Sequence, residues 1–171
     1  FTGRHVAQKA AAKLKQCKLE LGGKNPLIIL ADANMDYAVA AAAFGAFLHQ
    51  GQICIAVGRV IVEQPIAEEF AARFAKKAAS LPVGDPRKRE TVIGPLINDE
   101  AVRKVDGHVK DAVSKGARLL TGGTYEGRVY RPTVLADVRK DMQVYFEETF
   151  GPVAPIIAVK DVKEALEVAN D

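Results

Sequence analysis

Cysteine is scarce in this chain of 171 residues: there are two, Cys17 and Cys54. Two thiols do not make a disulfide framework, so the sequence points to a reducing compartment and each cysteine needs its own account. The default for either is a small buried hydrophobe. Long hydrophobic runs are lacking too. The apolar stretches are too short or too interrupted to span a bilayer, and the alanine-rich run 38–48 reads as a close-packed internal helix. Charge of one sign does not dominate. The net charge is +3, with Lys and Arg interleaved among Asp and Glu, which speaks for a solvated surface and against a nucleic-acid partner. No secretory signal is visible at Phe1, and the expected location is cytoplasmic. Repeats and low-complexity segments are absent. No His/Cys/carboxylate cluster has metal spacing, so no metal site is expected.

What is present suits one soluble domain: 49% hydrophobic and 26% charged residues leave little room for disorder. Apolar periodicity alternates between strand-like and helix-like runs. Strands are expected at 27–30, 59–63, 118–121, 133–138 and 155–159. Helices are expected from Arg4 onward, at 36–50, from Pro65 to about 80, at 98–115 and after Asp161. Pro65 suits a first helical turn. Asp161 with Glu164 predicts a capping box. Gly122-Gly123 ends its strand. The β-α-β-α order implies an α/β fold, a three-layer αβα sandwich around a largely parallel sheet. In such sheets ligands usually sit beyond the carboxyl ends of the strands, which directs attention to the loops that follow them.

Three short stretches offer chemistry. In Gln50-Gly51-Gln52-Ile53-Cys54 a thiol lies between a helix and a strand, and Gly51 allows tight backbone geometry beside it. A thiolate there is a strong nucleophile, and a buried inert cysteine is the alternative. In Leu19-Glu20-Leu21-Gly22-Gly23 the carboxylate is either one polar position on a half-exposed strand or a group able to activate water beside a bare backbone. In Glu147-Glu148-Thr149-Phe150-Gly151-Pro152 the acidic pair is either a solvated charge pair or holds a glutamate able to accept hydrogen bonds from a ribose diol.

Taken together, LELGGKNP at 19–26, GQIC at 51–54 and EETFGPV at 147–153 resemble the three strongest motifs of the aldehyde dehydrogenase superfamily. VGDP at 83–86, IGPLI at 93–97 and Gly122-Gly123 fit the same family, so the resemblance covers essentially the whole chain. The resemblance implies that Cys54 is the nucleophile and Glu20 the base that activates water against a Cys54 thioester. It implies NAD or NADP as cofactor, with Glu148 on the nicotinamide ribose, Phe150 packed near the nicotinamide, and Leu21 and Gly22 beside it. Gly3 would lie near the pyrophosphate turn, and segment 100–104 would approach the adenosine side. Glu147 and Lys24 would be structural. The backbone N–H of Cys54 would be one oxyanion donor. The family's other donor, an Asn side chain, comes from a preceding domain, and Asn25 is not its equivalent.

Phe44, Leu48, Ile53 and Ile55 match positions that line the family's aldehyde tunnel. All are apolar, which favours an aromatic or medium-chain aldehyde, and the local wording is somewhat like that of vanillin and benzaldehyde dehydrogenases. His49 is expected to be a packing or surface residue. Residues 1–3 are expected to be a remnant of the cofactor-binding domain, ending a strand, and 4–171 a catalytic domain truncated at both ends. The spacing from Phe1 to Glu20 is about five residues short of the family's phosphate loop. A homodimer or homotetramer is expected for the full-length parent. Two other readings stay open: a CoA-acylating relative, against which Glu20 argues, and a non-catalytic truncated module.

Overall fold

The computed structural model describes residues 2–171. In chain order the elements are α1 (Thr2–Ala11), β1 (Asn25–Ile29), α2 (Met35–Phe47), a 3-10 turn (Leu48–Gly51), β2 (Val57–Glu63), α3 (Gln64–Ala79), α4 (Asp99–Ser114), β3 (Arg118–Thr121), β4 (Tyr125–Glu126), β5 (Val129–Tyr130), β6 (Thr133–Ala136), α5 (Gln143–Phe146), β7 (Val153–Val159) and α6 (Val162–Ala169). The five-stranded sheet runs β1-β2-β7-β6-β3. The first four strands are parallel and β3 is antiparallel to β6. The expected αβα sandwich with a largely parallel sheet is what the chain forms.

The layers follow from strand alternation, which sends successive side chains to opposite faces. On β2, Val60 and Val62 face a core shared with α2 and α3, while Ile61 faces a second core shared with α4 and α6. On β7, Ala154 and Ile156 join the first core, and Ile157 and Val159 the second. Ala38, Ala42 and Ala46 recur every fourth residue of α2 and are all buried, so that helix lies close to its neighbours through small side chains. Phe70 and Phe74 of α3 fill the same core, with ring centroids 5.4 Å apart.

The helix starts are written locally. Asn34, Asn98 and Asp161 each accept a hydrogen bond from the backbone N–H three residues on, at 3.0, 2.8 and 2.8 Å. The predicted capping box is closed differently: the Glu164 carboxylate accepts from the N–H of Lys160 and not from that of Asp161.

Other boundaries shift for identifiable reasons. The strand expected to reach Val138 stops at Ala136, because Asp137 takes a left-handed φ of 58°. The helix expected to reach Gln50 ends at Phe47, because His49 and Gln50 take φ of 49° and 58°. Thr2 and Gly3 are helical, not the end of a strand, and Phe1 lies outside the described residues. Their carbonyls accept from the next turn of that helix, as first-turn residues do. The short β4–β5 hairpin and α5 had no clear periodicity to announce them. No helix among the described residues is long and apolar enough to cross a membrane.

Candidate active site

The three motif stretches meet at one edge of the sheet. Residues 19–24 lead into β1, 52–56 into β2 and 147–152 into β7, and these three strands are adjacent and parallel. Their preceding loops are therefore side by side at the amino ends of the strands. The motif loops thus lie at the end of the strands opposite to the carboxyl ends, where ligands were expected. The loops that bear the motifs precede their strands, and parallel pairing gathers them at the opposite edge.

The cysteine loop is held from several sides. After α2 the backbone makes three successive left-handed residues, His49, Gln50 and Gly51, the last with φ 68°. Only glycine fits at 51, since a Cβ there would overlap the carbonyl of Gly151. With its amide turned to satisfy both ends, the Gln50 side chain donates to the carbonyl of His49 at 3.0 Å and accepts from the N–H of Gly94 at 3.1 Å. Gln52 Oε1 accepts from the N–H of Ile97 at 2.9 Å. Asn25 Nδ2 donates to the carbonyl oxygens of Cys54 and Ala56 at 2.7 and 2.9 Å. The Cys54 thiol itself is exposed, not buried as a structural cysteine would be, and Cys17 is exposed as well.

The acidic loop meets the Gly-Gly stretch directly. A Cβ on Gly22 would overlap Glu148 Oε2, so the bare backbone of Gly22 is what admits that carboxylate. Leu21 packs on Gly3, whose added Cβ would stand 2.9 Å from Leu21 Cδ1. Phe150 is exposed and adopts a left-handed φ of 55°. Lys104 Nζ donates to the backbone carbonyl of Glu148 at 2.6 Å, which brings part of segment 100–104 to this loop. Among the described residues the Glu148 carboxylate has no hydrogen-bond or ion-pair partner.

Glu20 is exposed and lies in 15–24, which has no regular secondary structure. Its reading as a strand position is corrected: β1 is the edge of the sheet and begins only at Asn25, so the segment before it has no ladder partner.

Sequence reasoning missed a polar chain beneath the acidic loop. Lys24 Nζ donates to Thr149 Oγ1 at 3.4 Å, His108 Nδ1 lies 3.1 Å from the same oxygen, and His108 Nε2 lies 3.3 Å from Glu147 Oε2. Burial, reinforced by the charge of Arg59, lowers the Lys24 pKa to about 8. Burial likewise holds His108 below the ordinary histidine range, against the pull of Glu147. The available signal was the position of His108 among Val105, Val109 and Ala112, on the apolar stripe of an otherwise polar helix.

The four apolar candidates do not line one surface. Phe44 and Leu48 share an open pocket with Phe47, Leu81 and Val92. Ile53 instead lines the small cleft between Lys24, Gly51 and Phe150. Ile55 is 71% exposed and lines neither. His49 is an exposed residue of the turn. Among the described residues no group of three or more His, Cys, Asp or Glu side chains could hold a metal ion.

Comparison with known proteins adds to this geometry. The model of the aldehyde dehydrogenase family matches residues 1–171. A salicylaldehyde dehydrogenase from Pseudomonas putida G7, solved with salicylaldehyde, superposes with a TM-score of 0.94 at 48% identity, over 99% of this chain and 35% of its own. The benzaldehyde dehydrogenase of Pseudomonas putida, named for NAD(+), is 46% identical over 98% of this chain and 34% of its own length. A vanillin dehydrogenase of Pseudomonas fluorescens is 45% identical over 99% and 35%. The chain thus spans about a third of the length of the relatives it matches.

Proposed function

The chain belongs to the aldehyde dehydrogenase family, and we propose that it carries the reacting residues of an enzyme that oxidises an aldehyde to a carboxylic acid with NAD or NADP. The observation that carries this reading is that the loops bearing Gly22, Cys54 and Glu148 precede three adjacent parallel strands and so lie side by side at their amino ends. Cys54 is the nucleophile: its thiolate adds to the carbonyl carbon, and its sulfur holds the substrate through the tetrahedral adduct and the thioester. The backbone N–H of Cys54 is one donor to the oxygen that gains charge in that adduct. Glu20 takes a proton from the water that attacks the thioester, so the acid leaves and the thiolate returns. In this reading residues 4–171 are part of the catalytic domain, and the rest of the cofactor is held outside this chain.

The residues present fit a nicotinamide cofactor on its ribose side. Glu148 offers a carboxylate with both oxygens unclaimed by the described residues, and Gly22 keeps the space beside it clear. Two free acceptor oxygens would suit a vicinal diol, and Phe150, Leu21 and Gly22 would be the groups beside the nicotinamide. When bound, the cofactor accepts the hydride that an aldehyde must lose to become an acid.

The proposed substrate class is an aromatic or medium-chain apolar aldehyde. Relatives named for salicylaldehyde, benzaldehyde and vanillin support the aromatic choice. The test is cofactor reduction by the full-length enzyme with benzaldehyde, vanillin, hexanal and succinic semialdehyde, each with NAD and NADP. We expect turnover, strongest with the aromatic aldehydes, that disappears in Cys54→Ala. Equal turnover in that variant would overturn the mechanism, and a preference for succinic semialdehyde would overturn the substrate class.

A further inference from the structure

Phe150 is a non-glycine residue in left-handed backbone, a conformation that persists only where surrounding contacts hold it. The loop it belongs to also carries Glu148. Helix α4 reaches this loop with two side chains one turn apart, Lys104 and His108, which therefore share a face. Lys104 binds the carbonyl of Glu148 at 2.6 Å. His108, 3% exposed, lies 3.1 Å from the hydroxyl of Thr149, which is itself 6% exposed.

We propose that His108 is a positioning residue: through Thr149 it fixes the backbone that presents Glu148 and Phe150 to the cofactor. The inference rests on the cofactor role proposed above for that loop.

The donors and acceptors give the chain one direction. The Lys24 ammonium can only donate, so Thr149 Oγ1 accepts from it. In a neutral ring whose Nε2–H faces Glu147, Nδ1 is the unprotonated nitrogen and accepts the hydroxyl proton of Thr149. Nε2–H points to the Glu147 carboxylate at 3.3 Å. The charged groups around the ring are Glu147 from the loop itself, Lys24 from the segment before β1, and Lys104 and Asp111 from α4. Burial and the two lysines favour the neutral ring, in keeping with this tautomer. Thr149 is thus gripped from both sides, next to the residue with the unfavourable backbone. Replacing its hydroxyl by a methyl keeps the shape and removes both contacts.

The test uses the full-length enzyme and four variants, Thr149→Val, Thr149→Ser, His108→Phe and Glu148→Gln. Thr149→Val and His108→Phe should raise the KM for the nicotinamide cofactor about five-fold or more, the scale of one lost hydrogen bond. The KM for aldehyde and the rate of Cys54 alkylation by iodoacetamide without cofactor should stay within about two-fold. Thr149→Ser should restore the wild-type cofactor KM, because it returns the hydroxyl and not the methyl. Equal damage from Val and Ser would overturn the proposal in favour of packing. So would an unchanged KM in His108→Phe while Glu148→Gln raises it, whatever Thr149→Val does. If Glu148→Gln itself leaves the cofactor KM unchanged, the cofactor role of the loop fails and the positioning role falls with it. Should His108→Phe not fold, His108→Gln takes its place, because the Val and Ser pair at 149 changes the Lys24 and His108 contacts together.

Discussion

The side-chain amide of Asn25 holds the backbone of Cys54: Nδ2 donates to the Cys54 carbonyl at 2.7 Å and to that of Ala56 at 2.9 Å. One residue at the start of β1 thereby sets the path of the neighbouring loop that carries the thiol. Asn25 acts on the backbone, which agrees with the view that it is no substitute for an oxyanion-hole asparagine.

Asn25→Ala should loosen that loop without touching the thiol. Loss of two hydrogen bonds to backbone carbonyls should cost about 1–3 kcal/mol of stability, read as a shift in the denaturation midpoint. In the proposed mechanism kcat should fall about tenfold, since small misplacements of a nucleophile are costly. An unchanged midpoint and kcat would show that the amide holds nothing that matters.

Gly22→Ala should separate cofactor placement from stability. The added Cβ meets only the free end of the Glu148 side chain, which can swing away. Stability should change by less than about 1 kcal/mol. The KM for cofactor should rise roughly tenfold, because Glu148 is displaced. Isothermal titration of NAD and NADP into the full-length variant checks this.

Gly51→Ala should be damaging in a different way. The residue needs φ 68°, and its Cβ would overlap fixed backbone at Gly151 instead of a mobile side-chain tip. The combined left-handed backbone and clash should cost more than about 3 kcal/mol. We expect little soluble protein, and a variant as stable as wild type by thermal melting would contradict the close approach of Gly51 to Gly151.

Lys24 should give stability a pH dependence of defined sign. Its pKa is lowered to about 8 from 10.5 by burial and by Arg59. Between those values the unfolded chain binds more protons than the folded one, so this contribution rises with pH. Below about pH 8 the cost of burying the charge is fully present, at most about 3 kcal/mol. The stability of Lys24→Met relative to wild type should therefore fall as pH is raised from 8 to 10.5. Denaturant titrations across that window would reveal it, and a flat difference would refute the shift.

Glu20→Gln should slow release of the acid more than formation of the thioester. A burst of reduced cofactor followed by slow turnover is the expected trace in rapid mixing. Loss of the burst itself would assign Glu20 to an earlier step.

Much of this was legible in the residues. Alternating Val60, Ile61 and Val62 announced a strand buried on both faces, and Asp161 announced a helix start through a side chain that acts within three residues. Gly51 was legible as a tight position beside the thiol. Glu20 was not legible in the same way: its period-2 neighbours suggested a strand, but a strand needs a partner, and that is not written beside it. His108 was hidden because its partners, Thr149 and Glu147, are distant in sequence.

By itself the sequence determined the longer helices and strands of the sheet, the Asp161 cap and the three motif stretches, because those depend on interactions within a few residues. The tertiary structure alone decided that β1, β2 and β7 are neighbours. That adjacency, with parallel pairing, brings loops from the start, the first third and the end of the chain to one edge. It puts Gly22 against Glu148, Gly51 against Gly151 and Asn25 beneath Cys54. It sets the candidate site at the amino ends of the strands, because a parallel sheet collects at one edge whichever loops precede its strands.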